Sequence, residues 1–349
     1  MSILNFPFRL RHAIRDLNSS VLVLSHQTQS DLNSLMSEIK IQRDLILAIN
    51  MRLDAFEKSY FLSQSHIDIL LSRQVSRPYY DLSGKWGLTQ LSTGQPFFID
   101  KDTRDIAPWI LLGGTWENFV DDLLCALVDA GDTFLDVGAN LGYYTIKMGG
   151  RVGPGGRVFS FEPNPAMFET LQENININGF AGRAEAFNAA AGAAAGRLAF
   201  SVDHSHPGGG TVHPHPSAEG TADVAVVAID DALPQDVVVD LIKIDVEGFE
   251  PMVFDGMARL LARSPQAAIV CEFSYGGWER FGEPVAMLRR YAEGRRLFRI
   301  FHDGRLREEP ETGLAEIPDR NFTAYFLMLP KTPRRSLQLD AYMRKFSPP

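Results

Sequence analysis

Residues 133–145, TFLDVGANLGYYT, decide how the rest of the chain is read. An apolar run from Thr133 to Val137 leads straight into Gly138 and Gly142, with Asn140 between them. A buried parallel strand feeding a tight glycine turn and then a helix has this form. Gly138 supplies backbone conformations closed to other residues, and Gly142 lets the chain pass close to a ligand. Asp136, near the strand's end, can fix the turn amides or a cationic ligand group. The spacing is D-x-G-x-x-x-G. It lacks the middle glycine of G-x-G-x-x-G that admits a pyrophosphate, which turns the expectation from a nicotinamide dinucleotide towards S-adenosylmethionine.

Downstream, the pattern predicts a short helix from 143 to 148 ending near Gly149-Gly150, and a second strand over 158–161. Glu162 closes that strand, where an acid can accept hydrogen bonds from both ribose hydroxyls of an adenosine. Its alternative role is to cap the next helix, 166–177, a task Asn164 can also perform. A third strand over 184–187 leads to Asn188 and Ala189, placed for the adenine edge. Runs at 198–202 and 224–229 bracket a Gly/Pro-rich loop, 203–220, holding His204, His206, His213 and His215. Two H-x-H pairs raise the question of a metal, but Asp203 and Glu219 are the only acids near them, so a lid or substrate loop is expected. The apolar stretch 237–244 reads as the fourth strand and delivers Lys243, Asp245 and Glu247. Period two puts Lys243 and Asp245 on one side, and a lysine in so apolar a strand needs an anion. A fifth strand, 267–271, ends in Glu272. Strands at 297–301 and 322–329 complete the sheet, the last antiparallel, and 331–349 reads as a loose basic tail.

Upstream, Thr115 is placed to cap a helix whose inward face is Phe119, Leu123, Leu124, Leu127 and Val128. Trp116 and Glu117 then lie just before the core, able to cover its ligand crevice. Residues 79–112 carry short alternating runs with Gly and Pro and read as a β-containing approach. Residues 10–75 contain neither Gly nor Pro. From Leu32 to Leu70 apolar residues recur at alternating steps of three and four, interrupted by Gln42 and Ser63, which is a coiled-coil pattern. The chain thus divides into a heptad-patterned oligomerisation arm (1–76), an approach segment (77–130), a core domain (131–330) and the tail (331–349).

Composition narrows the function classes. The 34 Lys and Arg against 43 Asp and Glu give a net charge of -9, without the basic face of a nucleic-acid binder. No run reaches the 18 or so apolar residues that span a bilayer, and the N-terminus lacks an export signal. Cys125 and Cys271 have no partners at metal-ligand spacing and read as buried thiols of a reducing compartment. A cytoplasmic protein is expected.

FLDVGANLGYYT, VFSFEPNP, ENININGF and LIKIDVEGFE together resemble the FkbM family of S-adenosylmethionine-dependent methyltransferases, over residues 110–275. The resemblance implies a class I methyltransferase fold, an α/β Rossmann-like domain with a seven-stranded sheet, here carrying an N-terminal coiled-coil extension. It also implies O-methylation of a small-molecule or glycan hydroxyl. Carried onto this chain, Asp136, Gly138, Asn140, Gly142 and Glu162 hold the cofactor, with Asn188 and Ala189 near adenine; Glu117 joins them as an expected cofactor contact by its place over the crevice. The KIDVEG segment sits beside the transferred methyl. A neutral alcohol must lose its proton, and Asp245 is the first candidate base. Glu247 or Glu272 stands second, with Lys243 as charge-balancing partner. In a second mechanism Asp245 and Glu272 share Mg²⁺ that holds the acceptor hydroxyl. Two other classes remain open, an NAD-linked oxidoreductase on a similar fold and a non-catalytic oligomeric scaffold.

Overall fold

The computed structural model describes residue 40 and residues 77–82, 84–101, 103, 106–202, 220–310, 314 and 320–346. It divides into two compact units, Met1–Ser76 and Arg77–Pro349. The heptad series and the histidines of the 203–219 loop lie outside the described residues.

In chain order the second unit contains β1 (Tyr80–Asp81), β2 (Trp86–Gln90), β3 (Pro96–Asp100), α1 (Ala107–Gly113), α2 (Asn118–Leu127), β4 (Thr133–Val137) and α3 (Tyr143–Val152). Then come β5 (Arg157–Phe161), α4 (Pro165–Ile177), β6 (Ala184–Phe187), β7 (Ala190–Ala191), β8 (Gly196–Val202), β9 (Gly220–Val227), α5 (Ile229–Ala232) and β10 (Leu241–Ile244). The chain continues through α6 (Glu250–Asp255), α7 (Ala258–Arg263), β11 (Ala268–Ser274), α8 (Tyr275–Trp278), α9 (Pro284–Tyr291) and β12 (Arg295–Ile300). It ends with β13 (Leu306–Glu308), β14 (Thr323–Pro330) and α10 (Pro333–Met343).

The main sheet runs β13-β12-β14-β11-β10-β4-β5-β6. Strands β6, β5, β4, β10 and β11 are parallel, while β14 is antiparallel to β11 and β12. Among the described residues the sheet has eight strands and not the expected seven, because β13 folds back on β12 as an edge hairpin. The chain leaves β4 towards β5 and β6, then returns through β10 to build the other half. This reversal between β4 and β10 is where open α/β sheets bind ligands.

Side-chain alternation separates two apolar layers. Phe134, Val158, Leu241, Val270 and Leu327 pack with α1–α4 and α10, whereas Leu135, Phe159, Ile242, Ile269 and Met328 pack with α5–α9. Asp136, Ser160, Lys243, Glu272 and Tyr325 share strand parity with the first layer. The chemistry-bearing groups of the sheet therefore face α2 and α3.

Several expected boundaries move. Helix α3 continues through Gly149-Gly150 to Val152; a Cβ on Gly149 would sit 2.9 Å from Cδ2 of Phe180, so these glycines serve close packing. Strand β10 is confined to four residues. Thr115 does not cap α2, whose N-cap is Glu117 in a left-handed conformation at φ 41°. The basic tail is a helix, capped by Thr332, with Arg335 buried and its guanidinium donating to the Leu127 and Asp240 carbonyls. Arg334 reaches Asp132 at 2.6 Å. The approach segment forms a β1-β2-β3 antiparallel sheet. Asn174, the first asparagine of ENININGF, bonds both the amide and the carbonyl of Phe98 in β3, and also the Leu141 carbonyl.

Candidate active site

The turn after β4 is held against the end of β10. The amide of Asp245 donates to the Val137 carbonyl at 3.0 Å, and Gly138 lies at φ 82°. A Cβ there would run into the Asp245 carbonyl oxygen. Gly142 lies at φ 90°, and Cδ1 of Leu171 stands 2.5 Å from an ideal Cβ, so the absence of a side chain lets helix α4 pack closely against the turn. Asn140 takes φ 52°, with its own Oδ1 accepting from the Leu141 amide.

Asp136 is fully buried. Its Oδ2 accepts from the Thr145 hydroxyl at 2.7 Å, and Thr145 in turn meets Ser160 at 2.7 Å. Among the described residues its Oδ1 has no hydrogen-bond partner. A buried acceptor without a donor is costly, and burial raises this carboxyl's pKa despite the nearby Lys243 charge. Glu162, one strand over, accepts from the Asn140 amide through Oε2 and the Asn164 amide through Oε1, both at 2.8 Å. Burial pushes it up to about 7 against the pull of those amides. Asn164 also caps α4 by accepting from the Ala166 amide, so the two candidates for that cap divide the work. Asn188 is exposed and spends its amide on the Glu162 and Pro163 carbonyls, while Ala189 beside it is buried.

Lys243 stands opposite Asp136 in the β10–β4 register. Its Nζ lies 3.1 Å from Oδ2 of Asp245 and 3.3 Å from the Gly138 carbonyl, with the Tyr144 ring beneath it. Burial opposes its charge, but Asp245, Asp136 and Glu117 outweigh burial and raise its pKa. The same Asp245 oxygen accepts from the Tyr325 hydroxyl at 2.7 Å. Tyr325 also lies 2.9 Å from Oε1 of Glu117, whose Oε2 meets the Tyr144 hydroxyl at 3.1 Å. Burial, then the Asp245 charge, pushes Glu117 up to about 7.

Glu272 pairs with Tyr325 in the β11–β14 register, and burial with the surrounding carboxylates raises its pKa well above the ordinary range. Glu247 sits at φ 56° on the exposed turn after Asp245. The walls around it and the charges of Asp245 and Glu250 push it up to about 8, an effect that water on its open side moderates. The turn itself is pinned by buried Glu250, which accepts from the Val246 and Gly248 amides and from the indole of Trp278 at 2.7 Å.

The structure thus gathers Lys243, Asp245 and Glu117 into one hydrogen-bonded group, with Asp136 across from it and Glu162 one strand further. Tyr325, Tyr144 and Glu250 belong to the site without having been singled out from sequence. Tyr144 and Glu250 were visible within the quoted motifs. The donor set does not suit the divalent cation of the second mechanism. Oδ2 of Asp245 already meets Lys243 and Tyr325, and among the described residues no group of three or more His, Cys, Asp or Glu side chains can hold a metal ion.

Comparison with known proteins bears on the same residues. The family model described as the methyltransferase FkbM domain matches residues 136–298. Methyltransferase 1 of Beauveria bassiana (strain ARSEF 2860) is 28% identical over 163 residues, which cover 40% of this chain and 65% of that protein. Among solved structures, a methyltransferase FkbM from Methylobacillus flagellatus KT aligns at 18% identity and TM-score 0.38, over 58% of this chain and 44% of its own. Aeropyrum pernix fibrillarin, solved with natively bound S-adenosyl-L-methionine, aligns at 13% identity and TM-score 0.34, over 72% of this chain and 98% of its own. The match therefore spans less than two thirds of both the Beauveria and the Methylobacillus proteins. From Asp136, at the end of the first core strand, to Phe298 in β12, the chain matches the methyltransferase FkbM domain.

Proposed function

We propose that the protein is an S-adenosylmethionine-dependent O-methyltransferase acting on a hydroxyl of a sugar, glycan or related natural product. The observation that carries this reading is the pairing, across the sheet's reversal point, of Asp136 with its unpartnered buried oxygen and the Lys243–Asp245 ion pair. Asp136 suits the cofactor's ammonium and Glu162 its ribose hydroxyls, with the backbone of Asn188 and Ala189 beside the adenine. Bound there, S-adenosylmethionine supplies an already activated methyl group. The protein's share is alignment of the acceptor oxygen and removal of its proton. Asp245 takes that proton, with Glu247 or Glu272 the second choice, while Lys243 balances the charge. The D-x-G-x-x-x-G turn lacks the middle glycine that admits a pyrophosphate, which favours this reading over an NAD-linked enzyme.

Calorimetry tests the cofactor assignment. S-adenosylhomocysteine is expected to bind and NAD not to. Glu162→Ala should weaken binding by roughly 1.5–3 kcal/mol, the scale of hydrogen bonds to a charged group. Unchanged affinity would remove Glu162 from the ribose. A mass increment of one methylene on a glycan panel would identify the acceptor.

The arm before Arg77 is proposed to join copies of the chain, since its three-four spacing leaves an apolar stripe that pairing covers. Light scattering should give a multiple of the chain mass for residues 1–349 and a monomer for a chain starting at Pro78. Monomeric masses for both would discard the pairing.

A further inference from the structure

Glu117 and Tyr325 flank the matched domain, one before it and one after it, yet both converge on Asp245. The Tyr325 hydroxyl lies 2.7 Å from Oδ2 of Asp245 and 2.9 Å from Oε1 of Glu117. A phenol has one proton to donate, so it cannot serve two carboxylates at once. Both contacts are satisfied only when one carboxyl carries a proton of its own. Asp245 has the Lys243 ammonium at 3.1 Å to hold its negative charge. Glu117 is instead met by hydroxyls: Tyr144 reaches Oε2, leaving Oε1 for the extra proton.

We propose that Glu117 is a positioning residue which, in its protonated form, donates to the Tyr325 oxygen, so that Tyr325 gives its single proton to Asp245 and orients that carboxylate for the acceptor. The chain of donors runs from Glu117 to Tyr325 to Asp245, with Lys243 on the far side. No bond other than hydrogen bonds changes, and the proton taken from the acceptor stays on Asp245 until solvent removes it. The proposal rests on the methyl-transfer reading only for the consequence of that orientation, not for the relay itself.

Titration of Glu117 must be judged with every group facing it. Tyr144 approaches from α3 and Tyr325 from β14. Lys243 and Asp245 come from the end of β10, Glu272 from β11 and Glu247 from the following turn. Lys243 favours the ionised form and the carboxylates oppose it. Since burial and Asp245 hold Glu117 near 7, the relay is intact below that pH and is lost above it. Above it, two carboxylates compete for the Tyr325 proton.

Infrared difference spectroscopy on the full chain tests the relay without an acceptor. A protonated-carboxyl C=O band present in the parent and absent from Glu117→Gln is expected one pH unit below Glu117's midpoint, and should fade one unit above it. In Tyr325→Phe, which removes the acceptor oxygen, that band should move to higher frequency. Absence of a Glu117 band at the lower pH, or a band indifferent to Tyr325→Phe, would overturn the proposal. Should Glu117→Gln fail to fold, the shift in Tyr325→Phe decides alone. Turnover supplies the second readout, as S-adenosylhomocysteine release on a glycan panel. Parent kcat should fall above the midpoint, while Glu117→Gln, whose amide still donates to Tyr325, stays flat with KM unchanged. Glu117→Ala should lose on the order of tenfold to a hundredfold in kcat, the cost of a misplaced reacting group. A fall in kcat that Gln does not rescue would count against the relay. If the parent methylates no acceptor, the methyl-transfer reading fails while the infrared result still stands.

Discussion

Asp245 leaves the end of β10 with Lys243 on one side and Tyr325 on the other, so its carboxylate is both charge-balanced and aimed. A base held in this way acts through its ability to accept a proton, which Asn at the same position lacks. Asp245→Asn is therefore expected to keep S-adenosylhomocysteine affinity within about twofold while losing roughly 10²–10⁴ in kcat, the usual contribution of a positioned proton acceptor. Lys243 keeps the Gly138 carbonyl as a partner, so the variant should fold. Turnover within about threefold of the parent would remove Asp245 from the role. Because Asp245 is already engaged by Lys243 and Tyr325, EDTA should leave the parent's rate unchanged. The Lys243–Asp245 pair was legible from period two in an apolar strand. Its connection to Glu117 and Tyr325 was not, because those residues are 208 positions apart in sequence and meet only once β14 enters the sheet.

At the level of elements, the legible parts were those whose signal is local. Apolar runs marked the parallel strands β4, β5, β6 and β11, and the Asn164–Pro165 start of α4 has the side-chain cap its composition implies. Errors arose where tertiary packing overrides a local sign. Gly149-Gly150 reads as a stop, but Phe180 and the Gln95 side chain lie where side chains would go, and the helix runs on. The basic C-terminus reads as a solvated tail. Its arginines instead find carbonyls and carboxylates at the end of α2, on the connection from α2 to β4 and just before β10, while Leu339 and Tyr342 enter the core. Glu117 shows the same effect. Thr115 has the chemistry of a cap, yet a left-handed Glu117 starts α2, directing its carboxyl to Tyr144 and Tyr325. Asn174 stood in a quoted motif, but its purpose, clamping β3 to the glycine turn, depends on a strand 76 residues away.

Across the whole molecule, the buried acids make stability depend on pH in the direction opposite to ordinary acid denaturation. Glu117, Glu162 and Glu250 are each pushed by burial from 4.5 to about 7, and Asp136 and Glu272 are raised as well. Between the unfolded and folded values the native state holds protons that the unfolded chain has released. Stability from these groups is thus fully present below about 4.5 and is lost as the pH climbs through about 7. Glu308, lowered by its hydrogen bond to Arg296, works the other way, but it is one exposed group against several buried ones. The thermal midpoint of the ligand-free chain is therefore expected to fall between about pH 5 and pH 8. Glu117→Gln, neutral at every pH and still able to donate to Tyr325, should make that slope shallower. A midpoint that stays level or rises over the same interval would show that these carboxyls ionise in the native state much as they do in the unfolded chain. A cationic cofactor seated beside Asp136 and Glu162 would favour their ionised forms. Adding S-adenosylmethionine should then raise the midpoint more at the upper end of the interval than at the lower, and release protons on binding.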